Sequence, residues 1–263
     1  MLITKDFHDV PTKFGKNGRP IRVFVISPQV PDYPQANEVY SEIYQVTGPV
    51  ERFAGQIASH GYVVACPSSF HEFEGPEAIP YDTEGTDRGN KYKAEKEVAA
   101  YDEDATLTID LLTSLPNCNG RIASTGMCLG GHLAAFDPRV LSTVCFFATD
   151  IHSATLGRGG DDSLARVQAG ELTGRGELVM IFGKQDTHVP RAGRDIIRKV
   201  LEDANFLEVQ AQHAFIRDES SKGRWDAALT RSLFSFMIEV FERTVGRDLG
   251  PRGQVDKAFE HVC

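Results

Sequence analysis

Along the second half of the chain, short runs that are apolar without interruption take turns with helical stretches. Residues 121–126, 143–148, 177–182 and 206–211 read as strands, and helices are expected from Leu129, over 162–169 and over 191–203. A sheet with one wet face would alternate apolar and polar side chains, whereas solid apolar runs must be covered on both faces. The strand–helix–strand rhythm joins neighbours in parallel. The expected fold is therefore α/β, a mostly parallel central sheet with helices on both faces. In such sheets ligands bind where the carboxyl ends of the strands open into loops.

The first half follows the same plan less regularly. Asn17-Gly18 is a two-residue turn signal leading into the β-branched run 21–26, which predicts an N-terminal hairpin. A loop is expected from Pro28 to Gly48. Pro49 then opens a helix whose Val50, Phe53, Ala54, Ile57 and Ala58 share one face and which stops at Gly61, before a buried strand over 62–66. Residues 68–93 carry Gly75, Pro76, Pro80, Gly85 and Gly89 without periodicity, so an irregular lid or pocket wall is expected there. Helical spacing returns near Ala94 with Val98, Tyr101, Ala105, Ile109 and Leu112, and a last long helix is expected over 224–245. No repeat or Gly/Ser/Pro-rich linker interrupts this pattern. One domain is expected, with its core at about 20–245 and a short C-terminal tail.

Charge and composition exclude several classes of function. Lys plus Arg number 28 against 37 Asp plus Glu, a net charge of −9 that argues against a nucleic-acid surface. No apolar run approaches the roughly 18 residues of a membrane span, and the start has no apolar signal core. A cytoplasmic protein without a membrane or nucleic-acid partner is expected, a monomer or small homo-oligomer. The cysteines, Cys66, Cys118, Cys128, Cys145 and Cys263, form an odd set without metal-ligand spacing, so neither a disulfide framework nor a metal or cofactor is expected.

Just past the predicted strand 121–126 stands Gly126-Met127-Cys128-Leu129-Gly130-Gly131. It is a G-x-S-x-G nucleophile elbow with cysteine for serine: small residues two before and two after permit the strained turn that lifts the central side chain. A thiol nucleophile needs a base, and the base an orienting acid, in the order nucleophile, acid, histidine at later strand ends. Asp186 follows strand 177–182 and His213 follows strand 206–211. Of the other histidines, His188 is read as a loop residue, His132 lies along the helix after the elbow, and His152 follows an earlier strand. Asp150, after strand 143–148, is the rival acid.

These pieces resemble the dienelactone hydrolase family, cysteine members of the α/β-hydrolase fold that open unsaturated lactones. The resemblance rests on the Cys128 elbow, Gly183-Lys184-Gln185-Asp186-Thr187-His188-Val189-Pro190, Gln212-His213-Ala214-Phe215-Ile216-Arg217 and Ser41-Glu42-Ile43-Tyr44-Gln45-Val46. It implies a Cys128–His213–Asp186 triad, an oxyanion hole from the Ile43 and Leu129 amides, and Glu42 as a carboxylate that helps switch the thiol to thiolate. It further implies that Arg88, Tyr92 and Arg217 hold the substrate's carboxylate. Met127 and Ala214 depart from the residues common in that family, and the segments after Cys128 and before Phe206 look shortened.

The function expected is hydrolysis of a lactone or small carboxylate-bearing ester through a thioester. An esterase or thioesterase of the same fold acting on another small substrate is the alternative. From a different class, Cys128 would serve a non-catalytic ligand-binding or redox-sensing module.

Overall fold

Side-chain alternation along each strand sorts the core into two layers, one on each face of a sheet. The computed structural model describes residues 2–29, 35–129, 133–159, 163–172, 176–201 and 204–246. Its strands are β1 (Ile3–Val10), β2 (Ile21–Pro28), β3 (Gln35–Tyr40), β4 (Tyr62–Pro67), β5 (Arg121–Met127), β6 (Val140–Phe146), β7 (Glu177–Gly183) and β8 (Asn205–Val209). They form one eight-stranded sheet in the order β1-β2-β4-β3-β5-β6-β7-β8. β2 runs antiparallel to β1 and β4, and the remaining pairings are parallel.

On β7, Val179 and Ile181 enter one core while Met180 and Phe182 enter the other. The first face is covered by α1 (Gly48–Ser59) and α6 (Ala227–Phe241), with Phe53 and Ile57 meeting Met237 and Phe241. On the second face lie α3 (Val98–Ser114), α4 (Ser163–Gln168) and α5 (Arg191–Val200), which contribute Ile109, Leu112, Leu164 and Ile197. Each such side chain, fully buried, contributes about 1.5–3 kcal/mol. The mostly parallel, doubly covered sheet is the expected one. No described helix is long and apolar enough to cross a membrane.

Four elements differ from the reading of the sequence. β3 lies inside the expected 28–48 loop, at the centre of the sheet between β4 and β5. Its Asn37 and Glu38 are wholly buried, so it lacks the apolar run that marks its neighbours. Burial raises the Glu38 carboxyl well above its ordinary range, and the Tyr40 hydroxyl donates to it at 3.2 Å. The N-terminal hairpin exists, but β1 is largely exposed, and Asn17 and Gly18, at φ 58° and 74°, sit within a longer connection between Val10 and Ile21. Beyond Leu129, where a helix is expected, the described residues form one 3₁₀ turn, Leu133–Phe136; Gly130, Gly131 and His132 lie outside the described residues.

The fourth difference is α2 (Thr83–Glu95), a helix within the stretch read as irregular. Asp82 caps it, its carboxylate accepting from the Gly85 amide at 2.7 Å. Its buried residues are Gly85 and Gly89, not a hydrophobic stripe. A Cβ at Gly85 would lie 2.0 Å from the Pro80 carbonyl oxygen, and one at Gly89 2.2 Å from that of Ile43. The helix therefore rests its backbone directly on the segment that follows β3. Gln45 fastens the same segment from the other side, donating to the Gly75 and Glu77 carbonyls at 2.8 and 2.9 Å and accepting from the Phe70 amide at 3.1 Å.

At the junction of α2 and α3, the fully buried Lys96 ammonium lies 2.7 Å from Glu72 and 2.6 Å from Asp104, and His71 reaches Asp104 at 2.9 Å. Stripping one partner from a buried pair of this kind costs about 3–5 kcal/mol, since the other charge stays buried alone.

Gly89→Ala should destabilise the fold. Alanine gains about 1 kcal/mol in helix propensity, but a backbone-to-backbone approach offers no rotamer to relieve it, and overpacking costs about 1–3 kcal/mol. Urea denaturation should show a lower midpoint; an unchanged or higher midpoint would mean that α2 does not bear on Ile43.

Candidate active site

The carboxyl ends of β3, β5, β6, β7 and β8 surround one cavity of about 360 Å³. That volume suits a small organic ligand. Cys128 follows β5 at once and adopts φ 61°, a left-handed conformation that costs a non-glycine residue about 1–2 kcal/mol. Two hydrogen bonds hold it there: its amide donates to the Phe146 carbonyl at 3.1 Å, and its carbonyl accepts from the Thr149 amide at 2.9 Å. Left-handed residues recur on the cavity wall, at Asp150, Ala214 and Lys222. Such strain persists only where the surrounding hydrogen bonds over-determine it.

Asp186, and not Asp150, is the carboxylate beside His213. Asp186 Oδ2 lies 2.8 Å from His213 Nδ1, while its Oδ1 accepts from the His188 and Val189 amides at 2.8 and 3.3 Å. Burial would raise the Asp186 carboxyl, yet its bonds to His213 and those amides pull it below its ordinary value. The rival, Asp150, is engaged elsewhere: it accepts from Thr149 at 2.5 Å, Lys93 at 2.8 Å and Thr155 at 2.7 Å.

The His213 ring is buried between Phe147 and His188, at centroid distances of 4.8 and 4.4 Å. Burial alone would lower its pKa. The Asp186 carboxylate and the Cys128 sulfur beside it outweigh that and hold it well above the imidazole value of 6.5. His188 moves the other way, lowered first by burial and then by the neighbouring His213. Sequence spacing placed His188 on a loop; in the structure that loop folds it into the cavity wall against the His213 ring.

Glu42 is buried and lines the cavity, but its carboxylate faces cations and hydroxyls. Arg217 Nη1 lies 3.0 Å away and the Tyr81 hydroxyl 3.5 Å. Arg217 also sits over the Tyr81 ring at 4.3 Å. Ile43 and Leu129 are both buried, and neither amide donates to a backbone carbonyl among the described residues.

Arg88 and Tyr92 require a correction, since neither lines the cavity. Arg88 Nε lies 3.4 Å from Glu74, and Tyr92 donates to Glu74 at 3.2 Å while stacking on Phe73 at 4.6 Å. At roughly 100° per residue, positions 88 and 92 share one side of a helix and 86, 90 and 93 the other. Thr86, Asn90 and Lys93 face the cavity. Lys222 and Arg224 also line it and were missed, because the loop after Phe215 has no periodicity to show which way its side chains point.

The chain matches the model of the dienelactone hydrolase family over residues 21–245. It is 54% identical, over 100% of both chains, to a Saccharomyces cerevisiae protein named "Putative carboxymethylenebutenolidase". Its fold resembles a solved "Putative Dienelactone Hydrolase" from Klebsiella pneumoniae, with TM-score 0.75, 17% identity, and coverage of 92% of this chain and 100% of that one. A dienelactone hydrolase-like promiscuous phosphotriesterase from metagenomic libraries gives TM-score 0.71 and 16% identity, with 96% of this chain and 100% of the other covered. At those identities the two structures speak to fold alone.

A raised histidine pKa has a defined sign in stability. The His213 pairing contributes fully below the unfolded value near 6.5 and is lost as pH rises through the higher folded value. In a ring-nitrogen NMR titration, His213 should retain its proton well past 6.5. Asp186→Asn should bring the midpoint down by about one to three units. An unshifted midpoint in that variant would remove Asp186 as the ring's partner.

Proposed function

The chain belongs to the dienelactone hydrolase family, and we propose that it opens a lactone or small carboxylate-bearing ester using Cys128, His213 and Asp186. It is a carboxylic ester hydrolase acting on a small-molecule substrate. The observation that carries the cysteine mechanism is the meeting of three loops. A thiol raised on a φ of 61° opens into the same cavity as His213, whose far nitrogen is anchored 2.8 Å from Asp186.

A free cysteine is only a few per cent thiolate at neutral pH, so activation governs the first step. His213 accepts the thiol proton, and the sulfur's electron pair forms a bond to the acyl carbon. The carbonyl oxygen becomes an oxyanion facing the Ile43 and Leu129 amides, a donor of this type being worth roughly 10²–10³ in rate. Collapse breaks the acyl C–O bond, His213 returns its proton to the departing oxygen, and a thioester remains. Water then attacks the thioester with His213 as base, releasing the acid and restoring the thiol.

Charge in the cavity favours an anionic substrate. Lys93 is paired with Asp150 and Arg217 with Glu42, at 2.8 and 3.0 Å. Lys222 and Arg224 line the same cavity with no carboxylate partner among the described residues. They leave a local positive excess in a chain of net charge −9. Over a Debye length of about 8 Å the global charge is screened, and the near cations prevail. A carboxylate on the substrate is thus held at the 222–224 rim, not by Arg88 or Tyr92.

Cys128→Ala should abolish lactone and ester hydrolysis with circular dichroism unchanged; retained turnover would refute the nucleophile. Separately, the double variant Lys222→Ala/Arg224→Ala should raise KM for carboxylate-bearing lactones by about tenfold, equivalent to about 1.4 kcal/mol, while neutral esters keep theirs. Arg88→Ala serves as the control that leaves both constants alone. Equal effects on charged and neutral substrates would take the rim out of the mechanism.

A further inference from the structure

The cavity is more polar than hydrolysis of a hydrocarbon ester requires. Small-molecule pockets are lined mostly by apolar and aromatic side chains, yet of the described residues around this one only Ile43 and Ala214 have side chains of carbon alone. Most of the polar groups are already spent on one another. Thr86 is bonded to the Tyr44 hydroxyl at 2.9 Å, Ser153 to Thr155 at 2.8 Å and Lys93 to Asp150 at 2.8 Å. Two neutral groups are not. The exposed Asn90 amide and the half-buried His152 ring line the cavity without a hydrogen bond among the described residues.

The Lys93–Asp150 pair ties together the walls that carry them. Asn90 stands about one turn before Lys93 on α2, and His152 follows Asp150 in the loop after β6. Behind the His152 ring is the backbone of α5, where a Cβ on Gly193 would come within 2.6 Å of ring Cδ2. The ring's Nδ1 is buried without a partner, so Nε2 is left to meet a ligand. That nitrogen donates in one neutral tautomer and accepts in the other, while the Asn90 amide does both. A carboxylate can only accept. A hydroxyl group, donor and acceptor at once, satisfies Nε2 and the amide in every arrangement. A hydrocarbon placed against them would strip their water and leave them unpaired, which weakens binding.

We propose that Asn90 and His152 form a hydroxyl-binding subsite, and that the substrate is a hydroxylated lactone acid of the kind formed when a sugar diacid closes on its own hydroxyl. The proposal rests on reading the cavity as the ester-hydrolysing site. Lys222 and Arg224 take the free carboxylate and the two neutral groups take hydroxyls on the ring, so the two kinds of recognition fall to different walls.

The test compares two kinds of carboxylate-bearing γ-lactone as substrates of the full-length protein. The γ-lactones of glucaric, galactaric and mannaric acids carry hydroxyls; the γ-lactone of hydroxyglutaric acid carries none. At least one sugar-acid lactone should show a kcat/KM about tenfold or more above that of the hydroxyglutaric lactone. Asn90→Leu and His152→Phe should each raise KM for that lactone by roughly five- to tenfold, the loss of one hydrogen bond of ordinary strength, and leave the hydroxyglutaric lactone unchanged. His152→Gln, which keeps a donor and an acceptor, should recover part of the loss. Binding is read separately in Cys128→Ala, where the preferred lactone should shift the His152 ring-nitrogen resonances and the hydroxyglutaric lactone should leave them in place. Equal kcat/KM for the two kinds of lactone, or His152 resonances unmoved by every hydroxylated one, would overturn the subsite and leave the ester-hydrolase reading standing. A parent protein that hydrolyses no carboxylate-bearing lactone would sink that reading, and the subsite with it.

Discussion

The left-handed turn at Cys128 is the constraint on which the site depends. It is held by the ladder's own logic: the Phe146 carbonyl at the end of β6 takes the Cys128 amide, and the Thr149 amide takes the Cys128 carbonyl. The strain, about 1–2 kcal/mol, is small beside the burial that fixes β5 and β6. Because both partners lie at the end of the neighbouring strand, the thiol, the Thr149 hydroxyl and the Asp150 carboxylate occupy one rigid frame. His213 and Asp186 reach this frame from the next loops and are bound to each other at 2.8 Å. The His213 ring is therefore oriented by the fold itself.

A second frame faces the first across the cavity. The 41–45 segment after β3 carries Glu42 and Ile43, and it is pressed between Gln45's hydrogen bonds and the glycine face of α2. This is close packing without a hydrophobic stripe, made possible by two residues that have no side chain. The buried Lys96 group then ties α2 to α3. Catalytic positioning in this half comes from backbone contact and buried charge, not from apolar area.

Electrostatics partition the cavity. His213 and Asp186 form one matched pair, Glu42 and Arg217 a second, and Asp150 and Lys93 a third. Removing one member of the buried Glu42–Arg217 pair leaves the other charge buried without its ion partner, so these contacts serve geometry as much as charge. The cations at the rim stand outside that matching. An anionic substrate can engage them without dismantling a pair.

The sequence by itself determined the doubly covered parallel sheet, since unbroken apolar runs such as 177–182 have no stable arrangement other than burial on both sides. It also determined the strained turn at Cys128 and the strand ends that carry Asp186 and His213, because strand-to-loop boundaries are local properties. Tertiary structure decided the rest. β3 was hidden by its polar Asn37 and Glu38, which break the apolar pattern although both are wholly buried at the sheet's centre. α2 was hidden because its buried face is glycine, and periodicity counts hydrophobic side chains. That His213 meets Asp186 and not Asp150, and that Lys222 and Arg224 line the cavity where Arg88 and Tyr92 do not, turned on direction: which way a loop or a helix face points is set by what it packs against, and no spacing along the chain records it.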